Sequence, residues 1–280
     1  NDMKFTKYVV TALAGMMAAS MIAGCGGQDK AAAEKKEPLR VATNATFVPF
    51  EFKDEANPED YKGFEMDLIK AVGKEMGREV QINNLPFSGI IPVIQQGDMD
   101  IAAAGMTMTQ ERAKNVLFAA PFYESKLVIL APNGSGITSI DDLLGKTVAV
   151  QMGTTGAGYA EQKGLNIKQF DHNSELIMDL QVGGAQAGIL DKPVADYFLA
   201  QDGKGKYEII DIPDTKSEYL AFALNKNNTE LQKEVNAALA KLKETGEFQK
   251  LYKQWFNTDA PDLPATAEEA FKIILSVPTG

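Results

Sequence analysis

Between residues 38 and 257 the apolar positions keep switching period, and that alternation limits the fold more than any other property of the chain. Phe64, Leu68, Val72 and Met76 recur every four residues, the stripe of an amphipathic helix, and Gly77 stands where such a helix stops. Short apolar runs flank it at 39–42 and 80–85, with the length of buried strands. The unit then repeats as a helix at 88–96 ended by Gly97 and a strand at 100–104. After an apolar run at 126–130 comes a second series. It has a short helix at 138–143, strands at 147–150, 167–170, 187–190 and 207–212, and helices between them, one opened by Asp191-Lys192-Pro193. A strand at 218–224 is expected to return to the first series. Leu231, Val235, Leu239 and Leu242 form a further helical stripe, and the aromatic segment 248–256, with Trp255, reads as core.

Strands alternating with helices predict an α/β chain of two lobes, each a mostly parallel sheet flanked by helices, with a cleft at the strands' carboxyl ends. The expected boundaries are 38–122 plus 220–257 for lobe 1 and 127–215 for lobe 2, with hinge segments at 123–126 and 216–219. Residues 258–280 form a tail of unassigned role, an amphipathic segment or disorder.

The formal charge of −10 argues against a nucleic-acid partner. One Cys and one His exclude a disulfide framework or a structural zinc site within the chain, and no metal or cofactor is expected. His172 lies in the polar turn 170–174 and reads as a surface residue. At the other end, Lys4 and Lys7 precede an apolar run at 8–23, as in an export signal occupying residues 1–24. Ile22-Ala23-Gly24-Cys25 resembles a bacterial lipobox, which implies lipidation of Cys25. Residues 25–37 then serve as that anchor point and a flexible tether. A single acylated terminus holds a protein beside a membrane without spanning it.

The stretch Gly105-Met106-Thr107-Met108-Thr109-Gln110-Glu111-Arg112 carries the first chemical signal. Thr109 is a helix N-cap candidate, which puts Arg112 in a first turn whose dipole favours anions. A cation there wants an anion to share with the turn's free N–H groups, and Gly105 lets a ligand approach the main chain. The result is a socket for a small carboxylate, or else an exposed Arg112 paired with Glu111 or Asp98 beside a simple turn glycine. In the second lobe, Gln151 to Thr155 and Asp191 follow strands, although Asp191 also suits a plain N-cap. The segment 153–158 is not GxGxxG, so dinucleotide binding is weakly supported.

Several motifs occur together in register: Asn44-Ala45-Thr46-Phe47-Val48-Pro49-Phe50-Glu51-Phe52, Gly63-Phe64-Glu65-Met66-Asp67-Leu68, Phe87-Ser88-Gly89-Ile90-Ile91-Pro92, the Gly105–Arg112 stretch and Asp191-Lys192-Pro193. They resemble the polar amino-acid-binding proteins of bacterial ABC importers, solute-binding family 3, most closely the glutamine-binding type, over about residues 38–257. The resemblance implies a two-lobed type II periplasmic-binding-protein fold with a ligand-binding cleft. It implies that Arg112 holds the ligand's α-carboxylate with main-chain N–H groups of Thr107 and Thr155. The α-ammonium goes to the Gly105 carbonyl, the Thr107 hydroxyl and Asp191. Phe47 and Phe87 sandwich the aliphatic part, and Asn44 and Gln151 face the side-chain end.

Two departures bear on the ligand. Relatives usually carry Asp at the position of Asn44 and can carry Lys at that of Gln151. Two neutral amides point to a neutral polar amino acid, glutamine first. Ala119-Ala120 also replaces the usual Ser-Asp before Pro121, which weakens a structural hydrogen bond. The expected partners are a free amino acid and separate permease and ATPase chains, and the protein is expected to be a monomer. It is expected to be exported and lipid-anchored at the outer face of the cytoplasmic membrane, and not to be an enzyme. The alternatives are an amino-acid sensor subunit and a dehydratase-like enzyme on the same fold.

Overall fold

A computed structural model describes residues 35–276; the expected signal segment and Cys25 lie outside the described residues. The main helix forms as its stripe predicts. It spans Phe64–Met76, buries Phe64, Leu68, Val72 and Met76, and ends on Gly77 in the left-handed region.

Two five-stranded sheets carry the lobes. The first runs in the order Val80–Asn84, Leu39–Thr43, Ile101–Ala102, Ala223–Asn225 and Val116–Phe118. The second runs Asn166–Phe170, Thr147–Gln151, Ala187–Asp191, Leu127–Pro132 and Tyr207–Asp211. In each sheet the first three strands are parallel, as helical crossovers require. The remaining pairings are antiparallel. The sheets are therefore mixed rather than mostly parallel. Leu127–Pro132 and Ala223–Asn225 are the strands by which the chain enters one lobe and re-enters the other. Neither has a crossover helix before it to reverse its direction.

Between the sheets, Tyr123–Ser125 and Glu218–Leu220 pair as an antiparallel ribbon. The strand expected at 218–224 is thus two strands, the first joined to this ribbon and the second to the lobe 1 sheet. The helix expected at 138–143 is a single 3₁₀ turn, Ile140–Leu143, held by a Ser139–Asp142 capping box.

Phe64 meets Phe122, Phe248, Tyr252 and Phe256 edge-on, which fixes the helix Glu247–Phe256 to lobe 1. Trp255 is partly buried against this core, and its Nε1 donates to Asp67 Oδ2 at 2.8 Å. The missing Ser-Asp before Pro121 leaves no open group. Ala119 N–H donates to the Phe222 carbonyl at 2.9 Å, and Ala120 N–H donates to Asn236 Oδ1 at 2.8 Å. The described residues beyond 258 carry a further element. Ala267–Ser276 is a helix that buries Ala270 against lobe 1 and sets the Phe271 ring at a tilt to that of Phe118, 6.1 Å between centres.

Candidate ligand cleft

Asn44, Phe47, Phe87, Gly105, Thr107, Arg112, Gln151, Thr155 and Asp191 all line one cavity between the lobes, together with Glu51, Ala104 and Thr154. The free volume left within it is about 20 Å³, so the lobes stand close together over these side chains. Asn44, Gln151 and Asp191 stand at or just past the carboxyl ends of Leu39–Thr43, Thr147–Gln151 and Ala187–Asp191. Parallel strands with helical crossovers open their ligand crevice at that end.

Thr109 caps the short helix Gln110–Ala113, its hydroxyl accepting the Arg112 N–H, as expected. The Arg112 guanidinium donates to the Thr107 carbonyl at 2.8 Å and, across the cleft, to the Gly153 carbonyl at 3.0 Å. It also lies 5.4 Å from the centre of the Phe87 ring. Glu111 pairs instead with Lys114 at 2.6 Å, so the exposed Arg112–Glu111 arrangement is not formed. Burial lowers the Arg112 pKa while Glu218 and Asp191 raise it. The group stays cationic in any case.

Gly105 has a second reason to be glycine besides the one the sequence offered. Its φ is +58°, and a Cβ there would meet the Phe47 ring at 2.5 Å. The Phe47 ring fills the side-chain direction of Gly105, while the residue itself lines the cavity. The Gly105 N–H donates to Glu65 Oε2 at 2.7 Å.

Asp191 occupies the N-cap position of the helix Lys192–Ala200 but makes no capping bond with its side chain. It accepts instead from Ser125 Oγ at 2.7 Å. Burial, reinforced by the charge of Glu218, pushes its pKa up to about 7 against the opposing pull of Ser125 and Arg112. A cationic group arriving here would relieve that cost.

Glu218 was not singled out in the sequence. It sits on the crossing ribbon and accepts from the hydroxyls of Thr107 at 2.9 Å and Thr155 at 3.0 Å, one from each lobe. Burial raises its pKa, and the two threonines and Arg112 work against that rise. The available signal was an acid inside a run read as a buried strand.

The two amides line the cavity and also bond to each other. Asn44 Nδ2 donates to the Leu85 carbonyl and to His172 Nδ1, each at 2.8 Å. Its Oδ1 accepts from Thr46 at 3.1 Å and from Gln151 Nε2 at 2.9 Å. A carbonyl can only accept, so Leu85 fixes the amide's orientation and makes His172 Nδ1 the acceptor. Gln151 Nε2 also reaches the Asp171 carbonyl at 3.0 Å, and Asn173 N–H donates to Thr46 Oγ1 at 3.0 Å. The Asn44–His172, Gln151–Asn44 and Asn173–Thr46 bonds run from lobe to lobe. His172 is accordingly half-buried in the cleft and not a surface residue, because closure brings its turn onto Asn44.

The cleft therefore offers a cation held by main-chain oxygens and, from the other lobe, a carboxylate without a cationic partner. A zwitterion supplies the complement of both.

Residues 39–258 match the bacterial extracellular solute-binding proteins, family 3, and the chain belongs to this family of substrate-binding proteins of amino-acid ABC transporters. A probable histidine-binding protein of Neisseria gonorrhoeae is 33% identical over 91% of this chain and 97% of its own. The arginine-binding extracellular protein ArtP of Bacillus subtilis (strain 168) is 31% identical over 84% and 92%. Among solved structures, an ancestral arginine-binding protein bound to glutamine is 38% identical, with a TM-score of 0.74, and the match covers 79% of this chain and 98% of that one. The fold is the type II periplasmic-binding-protein fold. The relatives are named as binding proteins, not as enzymes. Among the described residues no helix is long and apolar enough to cross a membrane.

Proposed function

We propose that this protein is an exported lipoprotein, anchored through Cys25, that captures a free polar L-amino acid by lobe closure and delivers it to an ABC permease. The observation that carries the reading is Arg112 facing Asp191 across one cavity, on elements from opposite lobes. Arg112 receives the α-carboxylate, assisted by the N–H groups of Thr107 and Thr155. Asp191, the Gly105 carbonyl and the Thr107 hydroxyl receive the α-ammonium, and Phe47 and Phe87 cover the aliphatic part. A ligand bridging the lobes stabilises closure, with 123–126 and 216–219 as the hinge.

Glutamine is the first candidate, since its amide matches the neutral Asn44 and Gln151. A second reading, a cationic amino acid such as arginine, is favoured by the relatives' named ligands and by two features of the wall. Asn44 and Gln151 spend hydrogen-bonding capacity on each other, and the carboxyl of Glu51 lines the cavity.

The test is a thermal-shift screen of the chain from residue 26 against the twenty amino acids. A ligand at about 100 times its Kd stabilises the folded state by about 2.7 kcal/mol. The largest shift should come from a polar amino acid. No shift with any amino acid refutes the class. A larger shift with arginine or histidine than with glutamine refutes glutamine alone.

A further inference from the structure

His172 is the chain's single imidazole, and it lies beside the cavity without lining it. It occupies the N-cap position of the lobe 2 helix Asn173–Gln181, where its main-chain N–H donates to Glu175 Oε2 at 3.1 Å. Its ring reaches lobe 1, with Nδ1 2.8 Å from Asn44 Nδ2.

Asn44 leaves this contact no freedom. A primary amide has two N–H donors and two acceptor lone pairs. Here the donors go to the Leu85 carbonyl and His172 Nδ1, and the oxygen accepts from the Thr46 hydroxyl and Gln151 Nε2. Gln151 is fixed in turn, because its Nε2 also donates to the Asp171 carbonyl. Turning Asn44 over would set N–H against Gln151 Nε2 and oxygen against the Leu85 carbonyl. At 2% exposure, Asn44 has almost no water to make good a lost partner. The lobes close on this arrangement only when Nδ1 is bare and the ring proton is on Nε2. A charged ring carries a proton on both nitrogens and meets Asn44 donor to donor.

The charged groups on the elements around the ring are Asp171 and Glu175 in its own turn, and Lys168 on Asn166–Phe170, which is tied to Asp179 farther along the helix. The neighbours from lobe 1, Asn44, Thr46 and Leu85, are neutral, as is Gln151 at the end of Thr147–Gln151.

Resting on the reading of capture by lobe closure, we propose that His172 is a positioning residue for closure: its neutral ring latches the lobes, and acid that charges the ring unlatches them and releases the amino acid. For a charged ring to latch, the Nδ1–H bond breaks, its electron pair stays on nitrogen to accept from Asn44, and the proton passes to solvent. Imidazole is the side chain whose charge ordinarily changes between about pH 5 and pH 8.

The test uses the chain from residue 26 and whichever of the twenty L-amino acids gives it the largest thermal shift. Affinity and dissociation rate are measured from about pH 7.5 to about pH 5 for the unsubstituted chain, His172→Ala and His172→Asn. Asparagine supplies an acceptor oxygen in place of Nδ1, suits an N-cap and does not titrate. At the neutral end His172→Ala should release the amino acid about threefold to tenfold faster, and His172→Asn should restore slow release. On acidification the unsubstituted chain should lose affinity more steeply than His172→Asn, by up to about tenfold more per pH unit. Asp191 and the other cleft acids titrate in both, so the difference isolates the imidazole. Because the chain has one histidine, its two ring nitrogens are directly assignable by NMR, and with the amino acid bound at neutral pH Nδ1 should be bare. Parallel pH profiles for the unsubstituted chain and His172→Asn, an unchanged release rate in His172→Ala, or a protonated Nδ1 in the bound state overturns the latch and leaves the amino-acid reading intact. If none of the twenty binds, both fall.

Discussion

Arg112 lies in the single-turn helix Gln110–Ala113, too short for a dipole to favour or oppose its charge. Two carbonyls and the Phe87 face hold its guanidinium there, so its charge is positioned before any anion arrives. Arg112→Ala removes that charge without opening the cores, since the side chain is not part of them. Truncating one partner of a desolvated charge pair costs about 2–5 kcal/mol, so affinity should fall roughly thirtyfold or more, while the circular dichroism spectrum and unliganded melting temperature change little. Normal binding by this variant would refute the carboxylate-socket reading. Gly105 shows the limit of residue-level reading. That the position needs glycine follows from its positive φ and the packed Phe47 ring, neither of which a single residue type can announce.

The regular stripes at 64–76 and 231–242 became helices because a helix's buried face repeats along its own sequence. The segment 218–224 reads as one strand, yet it divides where its pairing partner changes from Tyr123–Ser125 to Ile101–Ala102 and Val116–Phe118. The carboxyl-terminal helix Ala267–Ser276 lies beyond the family match and still contributes to the lobe 1 core through Ala270. Ala270→Asp would bury an unpartnered acid there. It should lower unfolding free energy by about 2 kcal/mol or more in urea denaturation while sparing ligand affinity, because the cavity wall holds no residue of this helix. An unchanged denaturation midpoint would mean that the helix does not stabilise the lobe.

Across the whole molecule, the cavity gathers acids that folding desolvates. Glu65 and Asp191 each have their pKa raised to about 7. Between their ordinary values near 4 and about 7, the folded chain holds protons that the unfolded chain has lost. Stability from these groups is therefore fully present below that window and declines as pH rises through it. The melting temperature of the unliganded chain should fall from about pH 5 to about pH 8, and, on the proposed pairing of a ligand ammonium with Asp191, fall less with saturating amino acid. An unliganded melting temperature that rises over this range would contradict the burial of these carboxyls. The same closed arrangement engages the lobes through Asn44, Gln151 and His172.

The sequence alone determined the local content. Periodic apolar stripes specified the helices, short apolar runs specified most strands, and separate motifs in register specified the family and the residues that meet in one cavity. All of those signals are carried within a few residues of each other, where backbone periodicity and capping chemistry act. Tertiary structure decided which groups face which. It split the returning strand, made the sheets mixed, drew His172 from its turn onto Asn44, and joined two cavity-lining amides to each other. It brought Glu218 between threonines of both lobes and set Glu51 against Glu65. Hydrogen-bond partnership and desolvation depend on distances between segments far apart in the chain, and those distances exist only once the lobes have packed and closed.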